Sequence, residues 1–283
     1  MSTNENKGKK AEVTALQAIS AEDRKDWISL AFVQAGICVC VPAFLLGALL
    51  AEAMPIWPAI ISGSLGYLIV VVGMVATGMI GCDLGLASCT CCQAGFGKSG
   101  ARFIVSTIFA VNMIGWFGIQ NGVCGEAFSN AMLAMTGWDI PVVVSNTIWG
   151  IIMLLTAVYG VHALEKLDKI SIPLLMIIMC YGIFLAFKVY GTGNLNDEGT
   201  VQSMSFMSGV ALSFNFTAVG TITGPDYTRF QKSRKDTVKS VFYGVFPMGV
   251  ITLIMGIVLT KLSGQYDILS LIHISEPTRH LRI

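Results

Sequence analysis

Seven stretches, near residues 28–53, 57–80, 102–127, 139–161, 170–190, 204–223 and 238–262, are apolar almost throughout. A helix needs roughly 20 such residues to cross the hydrocarbon core of a bilayer. The chain therefore reads as an all-α polytopic membrane protein of seven spans. Composition agrees: 54% of residues are apolar and 12% charged, where soluble proteins carry about 25% charged residues. The mean hydropathy is +0.71.

Lys and Arg give the orientation. With alternate loops assigned to one side, Lys7, Lys9, Lys10, Arg24, Lys25, Lys98, Arg102, Lys166, Lys169, Arg229, Lys232, Arg234, Lys235 and Lys239 fall together, and Lys188 and Lys261 oppose them. Positive loops stay inside, so the amino terminus is expected in the cytoplasm of a cell whose inner membrane holds the chain. One span more or fewer would scramble that split. Residues 1–26 are polar, lack an apolar core and a small-residue cleavage site, and read as a cytoplasmic tail rather than a signal peptide.

Catalytic signatures are thin. No G-x-S-x-G, P-loop or H-E-x-x-H occurs, so an enzyme is the weaker class and no organic cofactor is expected. Cys82, Cys89, Cys91 and Cys92 lie in "CDLGLASCTCC", a segment the charge rule places in the reducing cytoplasm. The segment lacks paired C-x-x-C spacing and a nearby His, so small residues in a closely packed loop explain it better than a metal or redox site. A membrane metal or redox protein remains the rival from another class.

The third stretch holds an oddity. Within "NMIGWFGIQ", Asn112, Trp116 and Gln120 stand four residues apart, so on a helix they share one stripe with Cys124 beyond. Two amides and an indole need a partner other than lipid. Asn112 is in reach of the same ligand as Trp116, although an interhelical hydrogen bond explains it better.

Two spans look interrupted. "AGICVCVPAFLLGA" puts Gly36 and Pro42 inside the first, and Pro removes a backbone bond to the preceding turn. "MSGVALSFNFTAVGTITGPDY" carries Gly209, Asn215, Gly220, Gly224 and Pro225 in the sixth, with Phe214 and Phe216 flanking the Asn. Irregular backbone at membrane depth is tolerated where it is packed in protein or lines a cavity, and interruptions at matching places in two halves point to a transporter site. First and sixth spans match if the repeat is five helices long. Single glycines, such as the pair Gly63 and Gly66, more often serve close helix packing.

"GWFGIQ" in the third span, "GTITGPDYTRF" closing the sixth and "LAFVQAG" opening the first resemble the nucleobase:cation symporters of the cytosine, purine and hydantoin permease type, over roughly residues 24–262. The resemblance implies a leucine-transporter-like fold of about twelve spans, two inverted five-helix repeats plus two helices, of which the first seven stand here. It implies that Trp116 stacks on a flat heterocycle and that Gln120 hydrogen-bonds its edge. An aromatic of the sixth span closes the other face: Phe216 by counting back from the Asp of the shared motif, or Phe214 if "TGPD" carries one extra residue. It implies sodium, or else a proton, as coupling ion. Sodium would be held partly by the backbone carbonyls of Gly36 and Val39, with Cys40 bordering the substrate and the remaining ligands on an eighth span.

Residues 269–279, "LSLIHISEPTR", continue no membrane period and match the translation of a transposase-end adapter used in sequencing libraries. Residues 269–283 are accordingly read as a non-native tail, and 27–268 as an incomplete transporter domain. The expected function is cation-coupled uptake of a nucleobase, cytosine first, with a hydantoin, allantoin or purine permease as the alternative. The expected partners are a small heterocycle and the lipid bilayer, with no nucleic acid and no obligatory protein.

Overall fold

The computed structural model describes residues 16–158, 161–192, 195 and 204–264. Eleven α-helices run through them. The first span is α1 (Trp27–Cys38) and α2 (Val41–Ala53), bent by 53° at their junction. Val39 leaves the helical region at ψ 73°, Cys40 is extended, and Pro42 sits in the first turn of α2, where its missing N–H is no loss. The second span, α3 (Ile56–Leu84), ends on Gly85 at φ +65°, a left-handed conformation that a side chain would strain.

Two short helices, α4 (Ser88–Cys91) and α5 (Gln93–Gly100), lead through a π-helical turn at Ala101–Val105 into α6 (Ser106–Thr136). Then follow α7 (Val142–Val158), α8 (Val161–Tyr190), α9 (Phe206–Thr217), α10 (Val219–Thr228) and α11 (Arg234–Ser263). Five continuous stretches are long and apolar enough to cross a membrane, the bent pair makes a sixth, and the shorter apolar α7 supplies the place of the seventh.

Four expectations are corrected. The cysteine segment is mostly helical rather than a loop: Cys82 lies in α3 and Cys89 and Cys91 in α4, with only residues 85–87 non-helical between them. The helix of the fifth span begins at Val161, ahead of residue 170, and Glu165 in its second turn pairs with Lys25 and Lys169. The sixth span is not unwound at Gly224 and Pro225. The backbone stays helical through Ala218 (φ −55°, ψ −30°), where α9 passes into α10, and Pro225 lies inside α10. Proline denies Thr221 its usual donor, and the Thr77 hydroxyl of α3 replaces it, donating to the Thr221 carbonyl at 2.6 Å. Finally, residues 16–26 are not a free tail. Ile19 is buried with Leu30 and Phe230, its N–H donates to the Gly85 carbonyl, and Arg24 donates to the carbonyls of Cys82 and Gln231. The segment from residue 265, including the adapter-like sequence, lies outside the described residues, as do residues 1–15.

α3 is the axis of a tight bundle, packed against α9, α10 and α11, while α11 also covers α1 and α2. Small residues let these backbones approach, as in membrane bundles generally. Gly66 meets α9 at Ser213, whose hydroxyl donates to the Gly63 carbonyl at 2.7 Å, while the bare side of Gly63 faces Leu50 of α2 and Leu253 of α11. α2 and α11 meet glycine to backbone: a Cβ on Gly256 would stand 2.5 Å from the Phe44 oxygen, and one on Gly47 would stand 2.4 Å from the Leu253 oxygen. Gly256→Val is therefore expected to separate the two helices and cost about 1–3 kcal/mol or more by overpacking. A lowered apparent melting temperature of the purified protein in detergent checks this, and an unchanged one contradicts the packing. α6 pairs with α7, and α8 leans on α1 and α11; these three helices leave most of their apolar surface uncovered by described residues.

Candidate functional site

A cavity of about 370 Å³ opens where the bundle meets α6. Its wall is made by the broken first span (Gly36, Ile37, Cys38, Cys40, Ala43), by Tyr67, Val70 and Met74 of α3, and by Met113, Trp116, Phe117 and Gln120 of α6. Phe216 and Thr217 of α9 and Gly220, Thr223 and Tyr227 of α10 complete most of the rest.

The stripe on α6 faces this cavity, but turned from the expected line. Positions 113, 116, 117 and 120 follow helical spacing and share the lining face. Asn112 stands at the edge of that face, about a quarter turn from its centre, and lines an adjoining hollow of about 60 Å³ that shares Met113, Val219 and Thr223 with the cavity. Asn112 is not among the residues that line the cavity itself.

Aromatic geometry separates the two phenylalanines. Trp116 and Phe216 touch edge to face, with ring centroids 5.6 Å apart and planes at 84°. Phe214, two residues away and so on the opposite side of α9, does not line the cavity; its backbone nitrogen lies beside Gly66. Of the two, Phe216 is the one that lines the cavity. A parallel sandwich is not assembled in this conformation, because two faces holding a flat ring between them stand about 7 Å apart, twice the ~3.5 Å contact distance. Phe216 rests on Trp116 instead.

The polar groups converge on the helix break. The Gln120 amide reaches the Cys40 sulfur, and the Cys40 thiol donates to the Ile37 carbonyl at 3.3 Å. The Val39 N–H donates to the Ala35 carbonyl at 3.0 Å, and beyond it Pro42 has no N–H to offer the Cys38 carbonyl. Gly36 stands in the cavity wall, whereas the Val39 side chain is buried behind it with Ala35 and Ile172. The chemical capacity is clear: aromatic faces for a flat ring, an amide able to donate and accept at its edge, hydroxyls from Tyr67, Thr217, Thr223 and Tyr227, and carbonyl oxygens at a helix end.

Sequence reasoning missed Tyr67 and Tyr227. Tyr67 stands alone in the aliphatic run "SLGYLIV", and that isolation was the available signal for a phenol turned inward.

The cysteines do not form a comparable site. Among the described residues no group of three or more His, Cys, Asp or Glu is placed to hold a metal. Burial pushes the thiols of Cys89 and Cys91 up from the ordinary range, which disfavours the thiolate that metal binding and redox chemistry require. Cys91 instead donates to the Leu86 carbonyl. Changing Cys89, Cys91 and Cys92 together to Ser is expected to leave substrate binding intact and to change nothing in the metal content of purified protein. Loss of one equivalent of zinc or iron would contradict this.

Comparison with known proteins places this geometry. A family model described as permease for cytosine/purines, uracil, thiamine, allantoin matches residues 19–274. The cytosine permease of Escherichia coli (strain K12) is 26% identical over 249 residues, covering 87% of this chain and 57% of that protein. The purine-uracil permease NCS1 of Arabidopsis thaliana is 25% identical over 247 residues, covering 78% and 41%. The allantoin permease of Bacillus subtilis (strain 168) is 23% identical, covering 79% and 50%. The chain thus spans about half the length of these curated relatives. Its fold matches Mhp1, a nucleobase-cation-symport-1 family transporter, in a closed conformation with bromovinylhydantoin bound, at TM-score 0.83 and 18% identity over 92% of this chain and 60% of that one. The inward-facing conformation of Mhp1 superposes less well, at TM-score 0.73 and 17% identity, over 91% and 59%.

Proposed function

Because this chain belongs to the family of permeases for cytosine and purines, uracil, thiamine and allantoin, we propose that it forms seven spans of a secondary transporter that carries a nucleobase, cytosine first, into the cell with a cation. The observation that carries this reading is the meeting of Trp116, Gln120 and Phe216 with the broken first span around one cavity. A flat, polar-edged heterocycle stacks on Trp116, exchanges hydrogen bonds with the Gln120 amide, and is covered when Phe216 turns its face to it.

Sodium is the proposed coupling ion, and the donors fit it. A hard cation takes oxygen ligands, and the end of α1 offers carbonyls whose helical partners Pro42 and the bend remove. Gly36 and Val39 are the residues proposed to hold it. The cation, when bound, contributes positive charge beside Cys40 and Gln120, so that ion and heterocycle favour each other's binding. Transport follows by alternating access: the bundle of α1–α3 and α9–α11 rocks against α6 and α7, and the cavity on their boundary opens to either side in turn. The inner membrane is the proposed location, with the amino terminus in the cytoplasm, since the basic residues of the α10–α11 turn and of the segment before α1 lie together.

A hydantoin-, allantoin- or purine-type substrate is the second reading, favoured by the same flat cavity and by the relatives named above. Uptake of radiolabelled cytosine by cells making the full-length protein that carries this sequence, with unlabelled cytosine, uracil, adenine, allantoin and hydantoin as competitors, tests both. Competition by cytosine alone supports the first reading, and competition by one of the others moves the assignment to it. Uptake indifferent to all five overturns the transporter reading.

A further inference from the structure

Asp168 is a carboxylate in the span Glu165–Tyr190, one turn beyond a residue with a quite different setting. Glu165 pairs with both Lys25 and Lys169. Asp168 is half-buried and, among the described residues, has no ion pair and no hydrogen bond. It is packed against the first span. A Cβ built on Gly36 would stand 2.9 Å from its Cγ and Oδ1 and 3.0 Å from its Oδ2.

An ionisable side chain inside a span is costly without a partner and marks an ion or substrate path. Asp168 stands at such a path. Gly36 is part of the cavity wall, and one turn later α1 ends at the bend, where carbonyls lose their donors. Asp168 acts electrostatically on Tyr227 of α10, and Glu165, Lys166 and Lys169 share its helix. Lys169 is held by Glu165, and among the described residues no ion pair to Asp168 is formed. Carbonyl and carboxylate oxygens together make a hard, anionic donor set, suited to an alkali cation and unsuited to a soft transition metal.

We propose that Asp168 supplies the fixed negative charge of the coupling-cation site, reaching from α8 to the end of α1 beside Gly36. This rests on the cation-coupled reading above and adds to it a ligand from the fifth span. Helix-end carbonyls offer only partial charge. A full charge at the contact of α1 with α8 makes cation binding draw the two helices together, and Gly36 is the residue whose missing side chain permits the approach.

The test is a sodium titration of the purified full-length protein carrying this sequence, in detergent, with choline replacing sodium at constant ionic strength and apparent melting temperature as the readout. The unaltered protein is expected to show a saturable rise with sodium. Asp168→Asn, which keeps the shape and removes the charge, is expected to raise the half-maximal sodium concentration by about tenfold or more. Gly36→Ala keeps the charge but drives a methyl group into the carboxylate, and is expected to weaken sodium in the same direction. A sodium response unchanged in Asp168→Asn, with the variant monodisperse, overturns the role of Asp168 and leaves sodium coupling standing. A response absent from the unaltered protein overturns both.

Discussion

Alanine at Trp116 is expected to raise the apparent substrate constant of the full-length transporter by about 5- to 150-fold, the range that corresponds to the ~1–3 kcal/mol lost when a stacked base loses its aromatic platform. The indole lines the cavity at its boundary with α6, and Phe216 stands edge-on against it, so removing the indole also leaves Phe216 without its support. Gln120→Ala acts through a different term. It leaves the polar edge of the bound heterocycle unmatched, which costs about 1–3 kcal/mol where that edge is buried. It also strips the amide from the Cys40 sulfur. Two controls sharpen the test. Phe214→Ala and Asn112→Ala touch side chains outside the cavity and are expected to leave the substrate constant where it was. Concentration-dependent uptake, normalised to membrane-inserted protein, measures all four. Wild-type constants in Trp116→Ala and Gln120→Ala would remove both from the site, and a large effect of Phe214→Ala would shift the aromatic role back to it.

How much of this was legible in the sequence differs from residue to residue. The spans were legible because hydrocarbon thickness dictates their length, and the break in the first was legible because Pro42 lacks its N–H whatever surrounds it. Pro225 was misleading for the converse reason. The carbonyl it frees is claimed by Thr77, 144 residues earlier in the chain, and no local pattern announces that bond. The spacing of Trp116 and Gln120 put them on one face, but only the packing of α6 decided that Met113 and Phe117, not Asn112, complete the lining. Phe214 and Phe216 are equivalent in type and point to opposite sides of α9, so register against Trp116 was the missing information. Asp168 was hidden because the apolar run begins near residue 170, so the turns of α8 ahead of it were assigned to a cytoplasmic loop. The polar segment before Trp27 looked like a tail because its one buried apolar residue, Ile19, carries no periodicity with which to be noticed, and its other contacts are made by Arg24 and Lys25.

That docked segment leads to an asymmetric expectation for the pair Lys25 and Glu165. Their side chains are only 13% and 16% exposed, and the pair ties the chain ahead of α1 to the start of α8. Lys25 also lies in an isolated bridge with Gln231, its N–H donating to the Phe230 carbonyl, so its backbone is fixed whether or not the ion pair forms. Truncating one partner of a buried pair costs about 3–5 kcal/mol when the other charge is left alone. Glu165 would not be left alone, because Lys169 still pairs with it at 2.8 Å. Lys25 has no second carboxylate among the described residues. Glu165→Gln is therefore expected to fall near the full cost and Lys25→Met well below it. The double variant, with no stranded lysine beside α1, is expected to be more stable than Glu165→Gln alone. Apparent melting temperatures in detergent order the three proteins. A Lys25→Met variant as unstable as Glu165→Gln would mean that Lys169 does not hold Glu165 in place, and a double variant no better than Glu165→Gln would mean that burial of Lys25 is not what makes the loss of Glu165 expensive. Because Asp168 lies one turn along the same helix and is packed on Gly36, slackening this pair also loosens the contact of α8 with α1. Glu165→Gln should then weaken sodium-dependent stabilisation as well, although it touches no oxygen proposed to bind the ion.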